Sequence, residues 1–100
     1  MKVIPIANST RSNRVAIIKK KIWPKYFELV KLGKKRFEIR AADFKIREGD
    51  ILLLEEWDPK IKKYTGRKLK KKAKYILKFK LDGFGQEELI KKRRLYIIQI

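Results

Sequence analysis

From Arg67 to Lys80 the chain alternates with a period of two. Leu69, Ala73, Tyr75, Leu77 and Phe79 fall on one parity, and Lys68, Lys70, Lys72, Lys74, Lys78 and Lys80 on the other, with Ile76 breaking the pattern. Successive side chains of a strand point to opposite faces, so this stretch predicts a half-buried strand with a row of lysines on its wet face. The same apolar residues would scatter around a helix of 3.6 residues per turn. A partner strand lies just upstream. Ile51 to Trp57 (ILLLEEW) is rich in large apolar residues, and its continuous apolar start predicts burial on both faces. Asp58-Pro59 opens a turn and Thr65-Gly66 closes it, so residues 51–80 predict a β-hairpin with a moderately long tip.

The remaining segments are shorter. Val15 to Trp23 carries β-branched residues and predicts a strand. Pro24 then suits the first position of a helix, Tyr26, Phe27, Leu29 and Val30 supply its apolar face, and Gly33 can close it in the left-handed conformation, giving a helix over 24–32. Lys35 to Ala41 alternates again: Phe37, Ile39 and Ala41 point one way, Arg36, Glu38 and Arg40 the other. Asp43 to Asp50 is a loop ending in the Gly49-Asp50 turn. Asp82 to Gly85 is a turn, Gln86 to Arg94 a possible short helix, and Leu95 to Ile100 a closing strand. Met1 to Ile6 reads as a short edge strand. Residues 1–14 form an N-terminal extension expected to be partly mobile, and residues 15–100 a single domain. The sum is a mainly β (α+β) chain of five or six strands, with one helix after the first strand and a possible short helix before the last. Several short strands with turn signals suggest a small barrel or curled sheet.

Chemistry is narrowed by what is missing. The 100 residues contain no cysteine and no histidine, which removes thiol nucleophiles, histidine bases and the usual zinc ligands. No cofactor and no metal site is expected. Any enzyme must run on Lys, Glu, Asp, Ser, Thr or Tyr. Lys and Arg number 29 against 11 acids, a formal net charge of +18. Such a surface attracts phosphate polyanions, and nucleic acid is the commoner partner for a small basic domain. Lysine in excess of arginine, one methionine and few amides are also features of chains adapted to heat. No stretch approaches the ~20 apolar residues a bilayer demands, and no signal peptide is apparent, so a cytoplasmic, monomeric protein is expected.

Gly33-Lys34-Lys35-Arg36-Phe37-Glu38-Ile39-Arg40 fits G-x-K-x-x-E-x-R, at the end of the first helix and along the next strand. Around it, in order, stand Trp23-Pro24, Tyr26-Phe27, Gly49-Asp50-Ile51-Leu52, Glu55-Glu56-Trp57-Asp58-Pro59 and Tyr64-Thr65-Gly66-Arg67. This ordered set resembles an uncharacterised family of ASCH domains, relatives of the PUA fold, over roughly residues 15–80. The resemblance implies a PUA-like pseudo-β-barrel with a cleft between the first helix and the barrel, where RNA or a modified nucleotide binds. By carry-over, Lys35, Glu38 and Arg40 would line that cleft. A carboxylate flanked by two cations accepts hydrogen bonds from a base amino group, while Lys and Arg hold phosphate. Trp23 is a candidate stacking platform; Trp57, after a run of leucines, reads better as core than as platform. Arg36 and the row Lys68, Lys70, Lys72 and Lys74 complete the expected nucleic-acid contacts, the row serving equally as a solvated face.

Three readings follow. The first is a non-catalytic RNA- or nucleotide-binding module. The second is a hydrolase: some ASCH-like proteins resemble G-x-K-x-x-T-x-R and are amidohydrolases of acetylated cytidine, and a ribonuclease activity has been linked to others. Here Lys35 and Glu38 would be the catalytic pair, but Glu38 stands where the hydrolase pattern has Thr, and a carboxylate does not replace an activated hydroxyl. A later glutamate is matched only by elimination, at Glu87 or Glu88. The third is an accessory domain with no nucleic-acid role.

Overall fold

The computed structural model describes residues 14–80 and 94–100. The expected strand at Met1–Ile6, the extension before Arg14, the turn at Asp82–Gly85, the short helix from Gln86, and Glu87 and Glu88 lie outside those residues. The described elements are β1 (Ile17–Ile22), α1 (Pro24–Lys31), β2 (Phe37–Ala41), β3 (Ile51–Asp58), β4 (Lys63–Lys72), β5 (Tyr75–Lys80) and β6 (Arg94–Gln99). Arg94, expected at the end of a helix, is the first residue of β6. Among the described residues the class is mainly β with one helix.

The described strands do not close on themselves. They pair as two three-stranded sheets, β1-β3-β4 and β2-β6-β5, in place of the single barrel expected. Two features of the backbone explain this. First, β1 runs parallel to β3, Ile17 beside Ile51 through Ile22 beside Glu56. Parallel neighbours need a long crossover, here residues 23–50 with α1 inside it. Second, the expected strand Arg67–Lys80 is two strands. Ala73 closes the first sheet: its N–H donates to the Asp50 carbonyl and its carbonyl accepts from Gly49. Lys74 opens the second, donating to Gln99. The chain changes sheets between these two residues, and the parity changes with it. Leu69 and Ala73 point inward before the corner, whereas Ile76 packs on the core after it and Tyr75 and Leu77 are exposed.

β3 lies at the centre of its sheet, with Leu52, Leu54 and Glu56 inward and Ile51, Leu53 and Glu55 half-buried on the outer face. The core is built from Leu52 and Leu54 on one side, Tyr96, Ile98 and Ile100 on the other, and Ile22, Phe27 and Val30 at the helix end. Burying each such side chain contributes about 1.5–3 kcal/mol. The helix ends as its sequence dictates. Trp23 caps it in an extended conformation ahead of Pro24. Gly33, at φ +78°, lets its own N–H reach the Val30 carbonyl and that of Lys34 reach Leu29. Asp50 is a buried turn residue whose carboxylate accepts from the backbone N–H groups of Ala16 and Arg47 at 3.1 and 2.9 Å, tying the loop to the start of β1. Among the described residues no helix is long and apolar enough to cross a membrane.

Candidate functional site

Among the described residues β1 is the edge of one sheet and β2 the edge of the other, and no ladder joins them. The seam between these edges, capped by the start of α1, opens into a cavity of about 560 Å³, a size that suits a small organic ligand. Its lining comes from Lys21 and Ile22 at the end of β1, Trp23 and Tyr26 at the head of α1, Lys35 in the turn, and Phe37, Glu38, Ile39 and Arg40 of β2.

The charged group at its base is built on an inverted strand. In β2 the apolar parity, Phe37, Ile39 and Ala41, is exposed, while Glu38 is 4% exposed and Arg40 half-buried. A charge withdrawn from water requires partners, and Glu38 has two. Its Oε2 accepts from Lys35 Nζ at 2.7 Å and its Oε1 from Arg40 Nε at 3.1 Å. Both cations are held from behind as well: Lys35 donates to the Phe37 carbonyl at 2.6 Å, and Arg40 Nη2 crosses the seam to the Lys21 carbonyl on the open edge of β1 at 2.7 Å. An ammonium has three N–H donors and a guanidinium five. These bonds engage two of each, so one donor of Lys35 and three of Arg40 remain beyond them, on side chains that line the cavity. The centre carries two positive charges against one negative. Around its mouth stand Trp23, 53% exposed, with Tyr26, Phe37 and Ile39 also exposed.

Four expected residues thus meet in one cavity: Trp23, Lys35, Glu38 and Arg40. Arg36 does not join them. It precedes β2, and its Nε donates to the Gly33 carbonyl at 3.0 Å, closing the turn after α1. Lys68, Lys70 and Lys72 lie on β4, at the far edge of the first sheet, and Lys74 at the corner. Trp57 is not in the core cluster; it is half-buried beside Tyr64 on the outer face of the first sheet, with Lys21 Nζ 4.3 Å from its ring centroid. Sequence reasoning missed Lys21, Tyr26, Phe37 and Ile39 as lining. The signal was available in part, since the alternation of Lys35–Ala41 separates two sets of residues without stating which set is inside.

The second half of the motif has a different task. Glu56, 3% exposed, receives both Nε and Nη2 of Arg67, at 2.9 and 2.8 Å, and the Thr65 hydroxyl at 2.5 Å. Arg67 also donates to Glu28 of α1 at 2.6 Å and stacks 4.5 Å from the Phe27 ring centroid. The Arg67 hydrogen bonds outweigh burial and hold the Glu56 carboxyl at about 2, well below the ordinary 4.5, with Thr65 adding to the effect. Arg67 is correspondingly raised, chiefly by its hydrogen bond to Glu56. Thr65 and Gly66, expected to close the hairpin turn, lie inside β4 instead; Gly66, at φ +96°, sits opposite the irregularity between Glu55 and Trp57, and Asp58 accepts from the Lys60 N–H in the hairpin tip at 2.8 Å. Glu56, Thr65 and Arg67 therefore fasten α1 to the hairpin, while Asp58 orders the hairpin tip.

Comparison with known proteins gives two findings. The family model described as a domain of unknown function (DUF3850) matches residues 17–90. A protein of Escherichia phage P2, described as an uncharacterized 12.9 kDa protein in the GpA 3'region, is 47% identical over 49 residues, which are 49% of this chain and 43% of the phage protein. The match spans less than half the length of that relative.

Proposed function

The chain belongs to the DUF3850 family of domains of unknown function, and from that premise we propose that it binds RNA, or a free or modified nucleotide, in the cleft between α1 and the edges of β1 and β2. One observation carries the reading: two cations with donors to spare hold a buried carboxylate in a cavity that an exposed tryptophan also lines. Lys35 and Arg40 receive a phosphate or a base carbonyl, Glu38 accepts from a base amino group, and Trp23 offers its ring for stacking. The fold is read as ASCH- or PUA-like. Support comes from G-x-K-x-x-E-x-R at Gly33–Arg40 and from a cavity beside the helix that follows the first strand.

Binding is favoured over hydrolysis by the state of Glu38. Both of its oxygens already accept from cations, so a role as proton acceptor requires it to release one. The position also lacks the hydroxyl of the hydrolase pattern.

Calorimetric titration with a panel of nucleoside monophosphates tests the cleft. Saturable binding is expected. Trp23→Ala should weaken it about tenfold, since stacking on an aromatic ring contributes about 1–3 kcal/mol, and Arg40→Gln should weaken it at least as much. Unchanged affinity in both variants, or no binding by the wild-type chain to any member of the panel or to single-stranded RNA, overturns the proposal.

A further inference from the structure

The corner at Ala73–Lys74 divides the lysine row, and the part that stays with the first sheet gains neighbours from β1. Lys19 and Lys21 face outward on β1 while Ile18 and Ile22 turn to the core. The register sets Lys19 beside Leu53 and Leu53 beside Lys70, then Lys21 beside Glu55 and Glu55 beside Lys68. Lys72 extends the outer column beside Ile51. Among the described residues this outer face therefore carries five lysines (Lys19, Lys21, Lys68, Lys70, Lys72) against one acid, Glu55, which Lys68 meets at 3.6 Å. Strands are ~4.8 Å apart, so the two lysine columns stand roughly 10 Å apart, with steps of about 7 Å along each.

Lys21 joins this face to the cleft. It lines the cavity and its carbonyl holds Arg40, while its ammonium lies 4.3 Å from the Trp57 ring centroid and 5.7 Å from that of Tyr64. Two rings thus mark the end of the basic face nearest the cavity.

We propose that the outer face of the β1-β3-β4 sheet is a track for the phosphate backbone of a single RNA strand whose base occupies the cleft, so that the ligand is a strand of several nucleotides and not a free nucleotide. The proposal rests on the cleft reading given above. Paired columns of lysines match a run of phosphates in charge, and each contact releases counterion. Trp57 and Tyr64 give a neighbouring base a surface to stack on where the strand leaves the cavity. A bilayer is a poorer fit, because Ile51 and Leu53 at the centre of the face are half-buried and the exposed apolar side chains, Ile17 and Tyr64, stand at opposite ends of it with lysines between them, so no continuous apolar surface is offered for insertion.

Fluorescence anisotropy with a labelled single-stranded RNA series, from a mononucleotide to a strand long enough to cross the sheet, tests this at several salt concentrations. The probes are wild type, Trp23→Ala, and the combined variant Lys19→Gln, Lys68→Gln, Lys70→Gln, Lys72→Gln, with thermal unfolding as the control for folding. Wild-type affinity should rise with strand length. In the combined variant that gain should collapse by roughly tenfold or more, and the salt slope should flatten by about 0.7 for each phosphate contact removed. A combined variant with wild-type length dependence and salt slope overturns the track, and if Trp23→Ala still loses binding the cleft reading survives alone. Loss in the combined variant with Trp23→Ala unaffected overturns the cleft and with it the joined path. Loss of binding to phosphatidylserine vesicles with RNA affinity unchanged assigns the face to a membrane and likewise overturns the proposal.

Discussion

Glu38 and Glu56 are a natural pair of experiments within one small molecule. Each is almost fully withdrawn from solvent, each lies within a short motif, and each accepts two hydrogen bonds or more from cationic partners. They differ in what lies beyond those partners. Behind Arg67 stand Glu28 and the face of Phe27, so its charge is satisfied within the fold. Beyond Lys35 and Arg40 lies a cavity of about 560 Å³ rimmed by exposed rings. The same ion-pair chemistry is a fastening in one place and a recognition surface in the other. Burial of the carboxylate does not separate the two; the far side of the cation does.

The contrast breaks most visibly at Glu56. Replacing it with alanine leaves Arg67 and Thr65 without their shared acceptor and removes the anchor that holds Arg67 in place against Glu28 and Phe27 of α1. Losing one partner of a buried pair costs about 3–5 kcal/mol; Arg67 is partly exposed, so the expectation is about 3 kcal/mol. For a domain of this length that lowers the melting temperature by roughly 10–20 °C, measured by thermal unfolding under circular dichroism. Nucleotide affinity of the folded fraction should stay within about twofold, since Glu56 does not touch the cleft. A melting temperature within a degree or two of wild type would remove the fastening role.

Acid gives a second view of the same cluster. Glu56 titrates near 2 in the folded chain and near 4.5 when unpaired. Its folded value is the lower one, so its contribution is fully present above about pH 5 and declines as pH falls from there toward 2, where the unfolded chain takes up a proton that the folded chain refuses. Unfolding in urea across that window should show wild-type stability falling with acid, and Glu56→Gln should flatten the fall. Identical slopes for the two proteins would mean that other carboxylates set the acid limit.

How legible was this from sequence? The helix was written plainly, by Pro24 at one end and Gly33 at the other, because local chemistry alone sets both ends. The resemblance carried by G-x-K-x-x-E-x-R implied that Lys35, Glu38 and Arg40 line one cleft; spacing alone gives Glu38 and Arg40 one strand face, and Lys35 swings in from the turn before β2. Three things were not legible. The corner between β4 and β5 falls at Ala73-Lys74, two residues that fit a strand as well as a bend, so only the sheet partners Asp50 and Gln99 reveal it. The parallel pairing of β1 with β3 depends on contacts far apart in sequence. And β2 is inside out: alternation fixes which residues share a face, but tertiary context decides which face is buried, and here the charged one is. Alternation therefore groups Phe37 with Ile39 without showing that they rim a cavity.

The smallest expected effect on stability is the most telling about function. Glu38→Gln keeps the shape of the side chain and can still accept from one cation, and Lys35 and Arg40 can turn their freed donors to water in the cavity. The cost to stability should be about 1 kcal/mol, a third of that at Glu56. Binding should change in kind. With the negative charge gone, the two cations face a phosphate without an opposing carboxylate, so affinity for inorganic phosphate and for nucleoside monophosphates should rise together. The preference among bases should shrink at the same time, because an amide that donates as well as accepts no longer singles out a base amino group, and a good polar base contact carries about 1–3 kcal/mol of discrimination. Calorimetry across a purine and pyrimidine panel reads both effects at once. A variant that lost stability as Glu56→Ala does, with affinity and base preference intact, would make Glu38 a second fastening and erase the distinction between the two clusters.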